Sequence, residues 1–240
     1  MADIRLYVEG PLAAETVLPL DSAQSNYLFG VMRRRVGDTL RVFDGENGEW
    51  LAEVAKANKR NGLLVCRELM GPQATPPDLW LLFAPIKKAR MAFIVEKAVE
   101  MGVREVQPVI TDFTNERINA GRLQAHAAES AEQCGATFVP DVLDPVKLLD
   151  ILKDWPAERK LMFCDEGREA RPVAAALVNQ TSGPWAIVIG PEGGFSADEV
   201  AALRGLEAVV SVTLGPRILR ADTAAVAAIT AWQIALGDWQ

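Results

Sequence analysis

The eight residues Gly71–Asp78, GPQATPPD, carry three prolines and no apolar periodicity, and the chain changes character across them. Proline fixes φ and removes a backbone donor, so such a run reads as a boundary between folding units. Before it lie short strand-like runs, IRLYV, TLRVF, EWLAEV and GLLVCREL. Turn residues separate them, including Asp44-Gly45 and Asn47-Gly48 at a hairpin signal. One helix is expected over Ala23–Arg35, with Asp21 or Ser22 as N-cap and Gly37 just past its end. Short strands of this kind within about 70 residues indicate a small β-barrel, assigned here to residues 1–72.

Residues 73–240 alternate strands with helices. LWLLFAP reads as a buried strand, followed by a helix over Lys88–Met101 that Gly102 stops. VREVQPVI is the next strand, then a helix over Ala120–Cys134 ending at Gly135, and Asp144-Pro145 opens a short helix. KLMFC, WAIVIG and VVSVTLG are strands, each followed by a helical segment. Near-continuous apolar strands between amphipathic helices indicate an α/β domain whose parallel sheet is covered on both faces. Its ligand is expected beyond the carboxyl ends of the strands.

Composition narrows the function classes. With 50% hydrophobic and 24% charged residues, no apolar run of 18 and no signal-peptide core in Met1–Gly10, a soluble cytoplasmic protein without a membrane segment is expected. Cys66, Cys134 and Cys164 are odd in number and share no CxxC spacing, so buried thiols are expected rather than a metal site. His126 is the single histidine, which excludes His-rich metal centres and leaves any Ser-His-Asp triad dependent on one residue. It lies in the helix-like QAHAAESAEQC, where a structural role is expected. The net charge of −7 argues weakly against nucleic acid. Residues 1–75, however, carry 9 Lys and Arg against 10 Asp and Glu, while 76–240 carry 16 against 22. Basic residues in the first part are bunched as Arg33-Arg34-Arg35 and Lys59-Arg60, and a local basic patch can bind phosphate on an acidic protein. Charge leaves the partner open.

Two strand ends carry the candidate chemistry. In IVIGPEGGFSADEV, residues 187–200, three glycines within five residues permit close backbone approach to a ligand or positive φ. Ser196 and Glu199 form a capping box that starts a helix directly after them, and amides at such a start can hold an anion or the polar edge of a nucleoside. The loop matches neither GxxxxGK[ST] nor GxGxxG. In SVTLGPRILRADTAAVAAITAWQIAL, residues 211–236, a strand ends at Leu214-Gly215-Pro216, and Asp222 or Thr223 caps an Ala-rich helix that is apolar almost all round. Arg217 and Arg220 flank Ile218-Leu219 between strand and helix, at the expected ligand edge.

GPEGGFS followed about 20 residues later by LGPRILRADTA resembles the ribosomal RNA small-subunit methyltransferase E family; GPEGG alone would indicate only the wider SPOUT superfamily. NYLFGVMRRRVGDTLRVFDGENGEWLAEV, PIKKARMAFIVEKAVEMGVREVQPVITDFTNER and AEQCG extend the resemblance over nearly the whole chain. It implies a PUA-like β-barrel at 1–72, a SPOUT methyltransferase domain with a C-terminal trefoil knot at 73–240, and a homodimer. It also implies S-adenosyl-L-methionine as cofactor, without a metal, and methylation of N3 of a uridine in 16S ribosomal RNA, within the 30S subunit. Carried over, Gly190, Glu192, Gly193, Leu214, Gly215, Ile218 and Leu219 surround the methyl donor. Ala136, Ile118 and the Ala221-Asp222 pair depart from the common patterns EQSxRT, ERS and ILRTETA.

The reaction sets its own demands. N3 of uracil is a weakly acidic imide, so an enzyme must assist proton removal or stabilise the anion that spreads onto the flanking carbonyls. Arg220 is the candidate for the charge, and Glu192 and Asp222 are candidate bases. RNA phosphates would fall to Arg5, Arg33 and Arg34 of the first part and Lys87, Lys88 and Arg117 of the second. Competing readings are a SPOUT methyltransferase acting on another RNA nucleotide, a non-catalytic RNA-binding assembly factor, and a nucleotide-cofactor enzyme that the missing fingerprints disfavour.

Overall fold

In the N-terminal strands alternate side chains are apolar, and the computed structural model, which describes residues 4–165 and 170–240, shows where they point. The first of two units comprises the chain up to Thr75 together with Ala131–Val139. Its strands are β1 (Arg5–Tyr7), β2 (Val17–Pro19), β3 (Thr39–Phe43), β4 (Glu49–Lys56) and β5 (Leu63–Gly71), in the order β1-β3-β4-β5-β2. β1 runs parallel to β3 and the remaining pairs are antiparallel. Leu40 and Val42, Ala52 and Val54, and Leu64 and Cys66 repeat at period two and are all buried in one cluster. Irregular register along β4 and β5 bends this ribbon around that cluster.

The expected helix over Ala23–Arg35 is shorter. α1 covers Ser22–Asn26, capped by Asp21 in a capping box with Gln24, and continues as one π turn over Tyr27–Val31. Leu28 and Phe29 are its last buried side chains, and Val31–Arg33 are exposed, so nothing beyond them holds a helix against the core. Asp44 organises the β3–β4 turn. Its carboxylate accepts from the amides of Glu46 (3.0 Å), Asn47 (2.7 Å) and Leu12 (3.2 Å) and from the Asn47 side chain (2.6 Å).

The second unit holds Pro76–Ser130 and Pro140–Gln240. In chain order its elements are β6 (Leu79–Phe83), α2 (Lys88–Glu100), β7 (Glu105–Ile110), α3 (Ala120–Cys134), β8 (Asp141–Val142), β9 (Val146–Lys147) and α4 (Leu148–Lys153). β10 (Lys160–Cys164), β11 (Arg171–Pro172), α5 (Val173–Leu177), β12 (Trp185–Ile189), α6 (Ala197–Gly205), β13 (Val209–Thr213) and α7 (Ala221–Leu236) follow; the last turn of α3 is counted with the first unit. The strand order is β11-β13-β10-β12-β6-β7-β8, with β9 also on β7, and every pair is parallel.

All five residues of β12 are buried, as a parallel strand covered on both faces requires. α4 and α6 pack together over Leu82, Leu161, Phe163, Ala186 and Val188, while α7 packs on α2, α5 and β12. The helix expected at Asp144-Pro145 begins only at Leu148. Val146 and Lys147 first pair with Val109 and Ile110 of β7, and Gln107 holds the Asp144 carbonyl at 2.9 Å, so the sheet edge claims those residues. At the amino ends of the central strands Arg159, 8% exposed at its side chain, stacks 3.5 Å over Trp80, pairs with Asp78 (3.0 Å) and donates to the Trp185 carbonyl (2.9 Å).

Burial would raise the Asp44 carboxyl, but hydrogen bonds from Asn47, Glu46 and Leu12 outweigh it and hold the group below its ordinary 3.8. A depressed folded-state value stabilises the protein above the unfolded value and is lost as pH falls through the folded one. Asp44→Ala is therefore expected to cost about 1–2 kcal/mol at pH 7. Urea denaturation should show the gap to the parent narrowing as pH drops below 3.8.

Candidate active site

Because β10 lies between β12 and β13, the loops leaving the carboxyl ends of β12 and β13 face each other across it. They enclose a cavity of about 480 Å³, within the usual range for a small-molecule site. One wall is the loop after β12, with Gly190, Glu192 and Gly193; the other is the loop after β13, with Leu214, Gly215, Arg217, Ile218, Leu219 and Arg220. Ile189 and Cys164 at the strand ends, Ala221 and Ala224 of α7, and Arg90 of α2 also contribute to the lining.

Local chemistry explains both walls. A Cβ on Gly190 would stand 2.7 Å from the Phe195 ring, so only glycine lets that ring fold back over the strand end and meet Phe163 edge-on at 5.5 Å. Gly215 has φ +122°, where an L side chain is strained, and the turn into the second wall depends on it.

The Ser196–Glu199 capping box forms as expected. Glu199 is 1% exposed; its carboxylate accepts from the amides of Ser196 (2.8 Å) and Asp112 (2.9 Å), while the Ser196 hydroxyl reaches the Asp112 carboxylate at 2.5 Å. One buried carboxylate thus ties the loop after β7 to the loop after β12. It also takes up the Ser196 amide at the start of α6, a donor that the sequence left open to an anion.

α7 begins two to three residues earlier than expected. Arg220 is its N-cap residue without a side-chain bond, and Asp222 lies in the first turn, accepting from the Thr223 amide at 2.9 Å. Asp222 is not on the cavity wall. It stands 3.7 Å from Arg90, which also bonds Glu192 at 2.7 Å, so one guanidinium joins two of the candidate acids. Arg220 and Arg217 are exposed and have no carboxylate partner among the described residues, and Ile218 between them is 77% exposed. Burial pushes the Cys164 thiol up to about 12, so this lining residue is no nucleophile near neutrality.

The basic residues grouped for RNA divide. Arg33, Lys87, Lys88 and Arg117 are exposed and Arg34 is half-buried. Arg5 is different: 12% exposed at its side chain, it pairs with Glu49 (2.6 Å), donates to the carbonyls of Ala131 (2.6 Å) and Ala136 (2.9 Å), and lies over Phe43. Its guanidinium is occupied by the end of α3, a correction to its grouping with the RNA contacts. Arg90 and Glu199 join the site without having been expected there. Arg90 follows β6 into α2 and so sits at a carboxyl strand edge, a position that could have marked it; the reach of Glu199 to Asp112, 87 residues away, leaves no sequence signal. Among the described residues no three His, Cys, Asp or Glu side chains gather as metal ligands, and no helix is long and apolar enough to cross a membrane.

Comparison with known proteins gives three kinds of match. A family described as RNA methyltransferase domain matches residues 73–233, and one described as RNA methyltransferase PUA domain matches residues 20–65. The ribosomal RNA small subunit methyltransferase E of Rickettsia conorii is 30% identical over 228 residues, covering 94% of this chain and 93% of that protein. Among solved structures, the ribosomal RNA small subunit methyltransferase E of Neisseria gonorrhoeae, bound to S-adenosyl methionine, aligns with TM-score 0.89 at 28% identity over 99% of this chain and 100% of its own. A Legionella pneumophila methyltransferase in complex with the same cofactor aligns with TM-score 0.87 at 27% identity, with the same coverage.

Two outcomes follow from the geometry. Arg90→Ala is expected to speed amide hydrogen exchange across 192–195 while costing no more than about 1 kcal/mol, because the ion pairs it removes are partly solvated; unchanged exchange there would show that they do not hold the loop. At pH 8 a thiol reagent should titrate Cys134, which is exposed, well before Cys164, which is half-buried at the cavity and held up by burial, and reach buried Cys66 only after denaturation.

Proposed function

The chain belongs to the ribosomal RNA small subunit methyltransferase E family, and we propose that it methylates N3 of a specific uridine in 16S ribosomal RNA with S-adenosyl-L-methionine as donor. The observation that carries the reading is the cavity at the carboxyl ends of β12 and β13, walled by the two sequence motifs that mark the family. Its size suits a nucleoside-bearing cofactor. Gly190, Gly193 and Gly215 place backbone on the cavity wall, and Ile189, Leu214 and Leu219 supply apolar surface.

In this reading Gly190, Glu192, Gly193, Leu214, Gly215, Ile218 and Leu219 hold the donor. When bound, the donor supplies an electrophilic methyl group on a sulfonium. The protein's own contribution is to align N3 with that methyl and to manage the imide proton. Arg220, at the cavity wall without a carboxylate partner among the described residues, stabilises the negative charge on the uracil carbonyls.

Residues 1–72 serve RNA docking and 73–240 methyl transfer, the C-terminal segment being threaded as the family's trefoil knot. Arg33, Arg34, Lys87, Lys88 and Arg117 contact phosphates, which give affinity without sequence information. Two copies associate as a homodimer, and the enzyme acts in the cytoplasm on the 30S subunit.

The test incubates the protein with radiolabelled S-adenosyl-L-methionine and 30S subunits lacking N3-methyluridine, then resolves the nucleosides of the digested RNA. Label in N3-methyluridine, lost in Gly193→Trp, is expected. Label in another nucleoside would redirect the target, and absence of donor binding would refute methyl transfer.

A further inference from the structure

Phe113 is a large aromatic residue left 46% exposed on the loop after β7, beside the cavity and outside its lining. Its mounting is unusually firm for a side chain that buries so little. The Thr111 amide donates to the Thr114 hydroxyl (2.9 Å), the two hydroxyls meet at 2.9 Å, and the Thr114 amide returns to the Thr111 carbonyl (3.0 Å). Next to it, the Asp112 amide is held by buried Glu199 and the Asp112 carboxylate by Ser196. The residues on either side of Phe113 are thus fixed, to each other and to the loop carrying Gly190 and Gly193.

The ring also lies against that loop. A Cβ built on Gly193 would meet the Phe113 Cβ at 3.2 Å and ring carbons at 3.7 and 3.9 Å, so the bare backbone at 193 makes room for this side chain on its outer side while lining the cavity on the other. Burial does not account for the arrangement, because nearly half of the residue is open to solvent. Hydrogen bonds without burial gain explain a display, and a phenyl face fixed at a cavity rim is suited to receive a planar ring.

We propose that Phe113 is a stacking platform for the unpaired base that enters the cavity, or for its immediate neighbour. The inference rests on the methyl-transfer reading above and adds the element that presents the base. A base taken out of its stack loses aromatic contact, and an exposed phenyl ring restores it without selecting among bases. Arg117, exposed four residues along the same loop, supplies a cation for the backbone of that nucleotide. Phe113 therefore governs RNA capture and leaves donor binding alone.

The experiment measures the dissociation constant for S-adenosyl-L-methionine by calorimetry and the KM for unmethylated 30S subunits, for the parent, Phe113→Ala, Phe113→Leu, Phe113→Trp and Arg117→Ala. Phe113→Ala is expected to raise the KM about tenfold or more, with donor affinity within about twofold. Phe113→Leu keeps apolar bulk but has no π face and should resemble Phe113→Ala, whereas Phe113→Trp should restore the parent value. Arg117→Ala should flatten the salt dependence of RNA affinity by about one phosphate contact, and Phe113→Ala should leave it unchanged. A parent-like KM in Phe113→Ala or in Phe113→Leu overturns the platform, as does an equal loss of donor affinity. A parent protein that binds donor yet labels no RNA overturns the methyl-transfer reading and the platform with it; labelling by the parent alongside an unaffected Phe113→Ala overturns the platform alone.

Discussion

The placement of β10 between β12 and β13 is the constraint on which the rest of the second unit depends. A parallel sheet puts every carboxyl strand end on one edge, and a strand laid down earlier in the chain but seated between two later ones makes their loops leave on either side of it. The loop after β12 and the loop after β13 must then face each other, and the space between them is the cavity. At the opposite edge Arg159, Trp80 and Asp78 fasten the strands, while the cavity lies at the carboxyl edge.

Facing loops would collapse or splay without fixed supports, and charges provide them. Glu199 satisfies amides from two loops with one buried carboxylate, a geometry in which every hydrogen bond is charge-assisted and shielded from water. Arg90 works at the solvent side, where its contacts to Glu192 and Asp222 span from the first wall to the start of α7. The first support is strong because it is buried; the second is weaker because it is partly solvated.

Much of this architecture is legible in the order of the amino acids. The proline-rich Gly71–Asp78 separates two textures because strands of period two and buried parallel strands need different apolar patterns, and β3, β6, β10, β12 and β13 fall where those patterns lie. The capping box at Ser196 and the glycine stop at Gly135 are local devices, written in neighbouring residues, and both form as expected. Where expectation and fold differ, distant partners decide. α1 stops early because no core lies beyond Phe29, Val146-Lys147 become strand because β7 offers an edge, and Arg5 turns inward because the end of α3 presents carbonyls to it.

Local pattern alone therefore settles two units of different architecture, an α/β sheet in the second, and two glycine-bearing strand ends as the place for chemistry. Periodicity, turn residues and caps act over a few positions, and a linear chain preserves them. Three-dimensional packing was needed to settle that those two strand ends face each other, that Arg90 links Glu192 with Asp222, and that Glu199 anchors Asp112 and so sets Phe113 at the rim. Such contacts join residues that are tens of positions apart, and their energies depend on burial and orientation, which exist only once strand order is set.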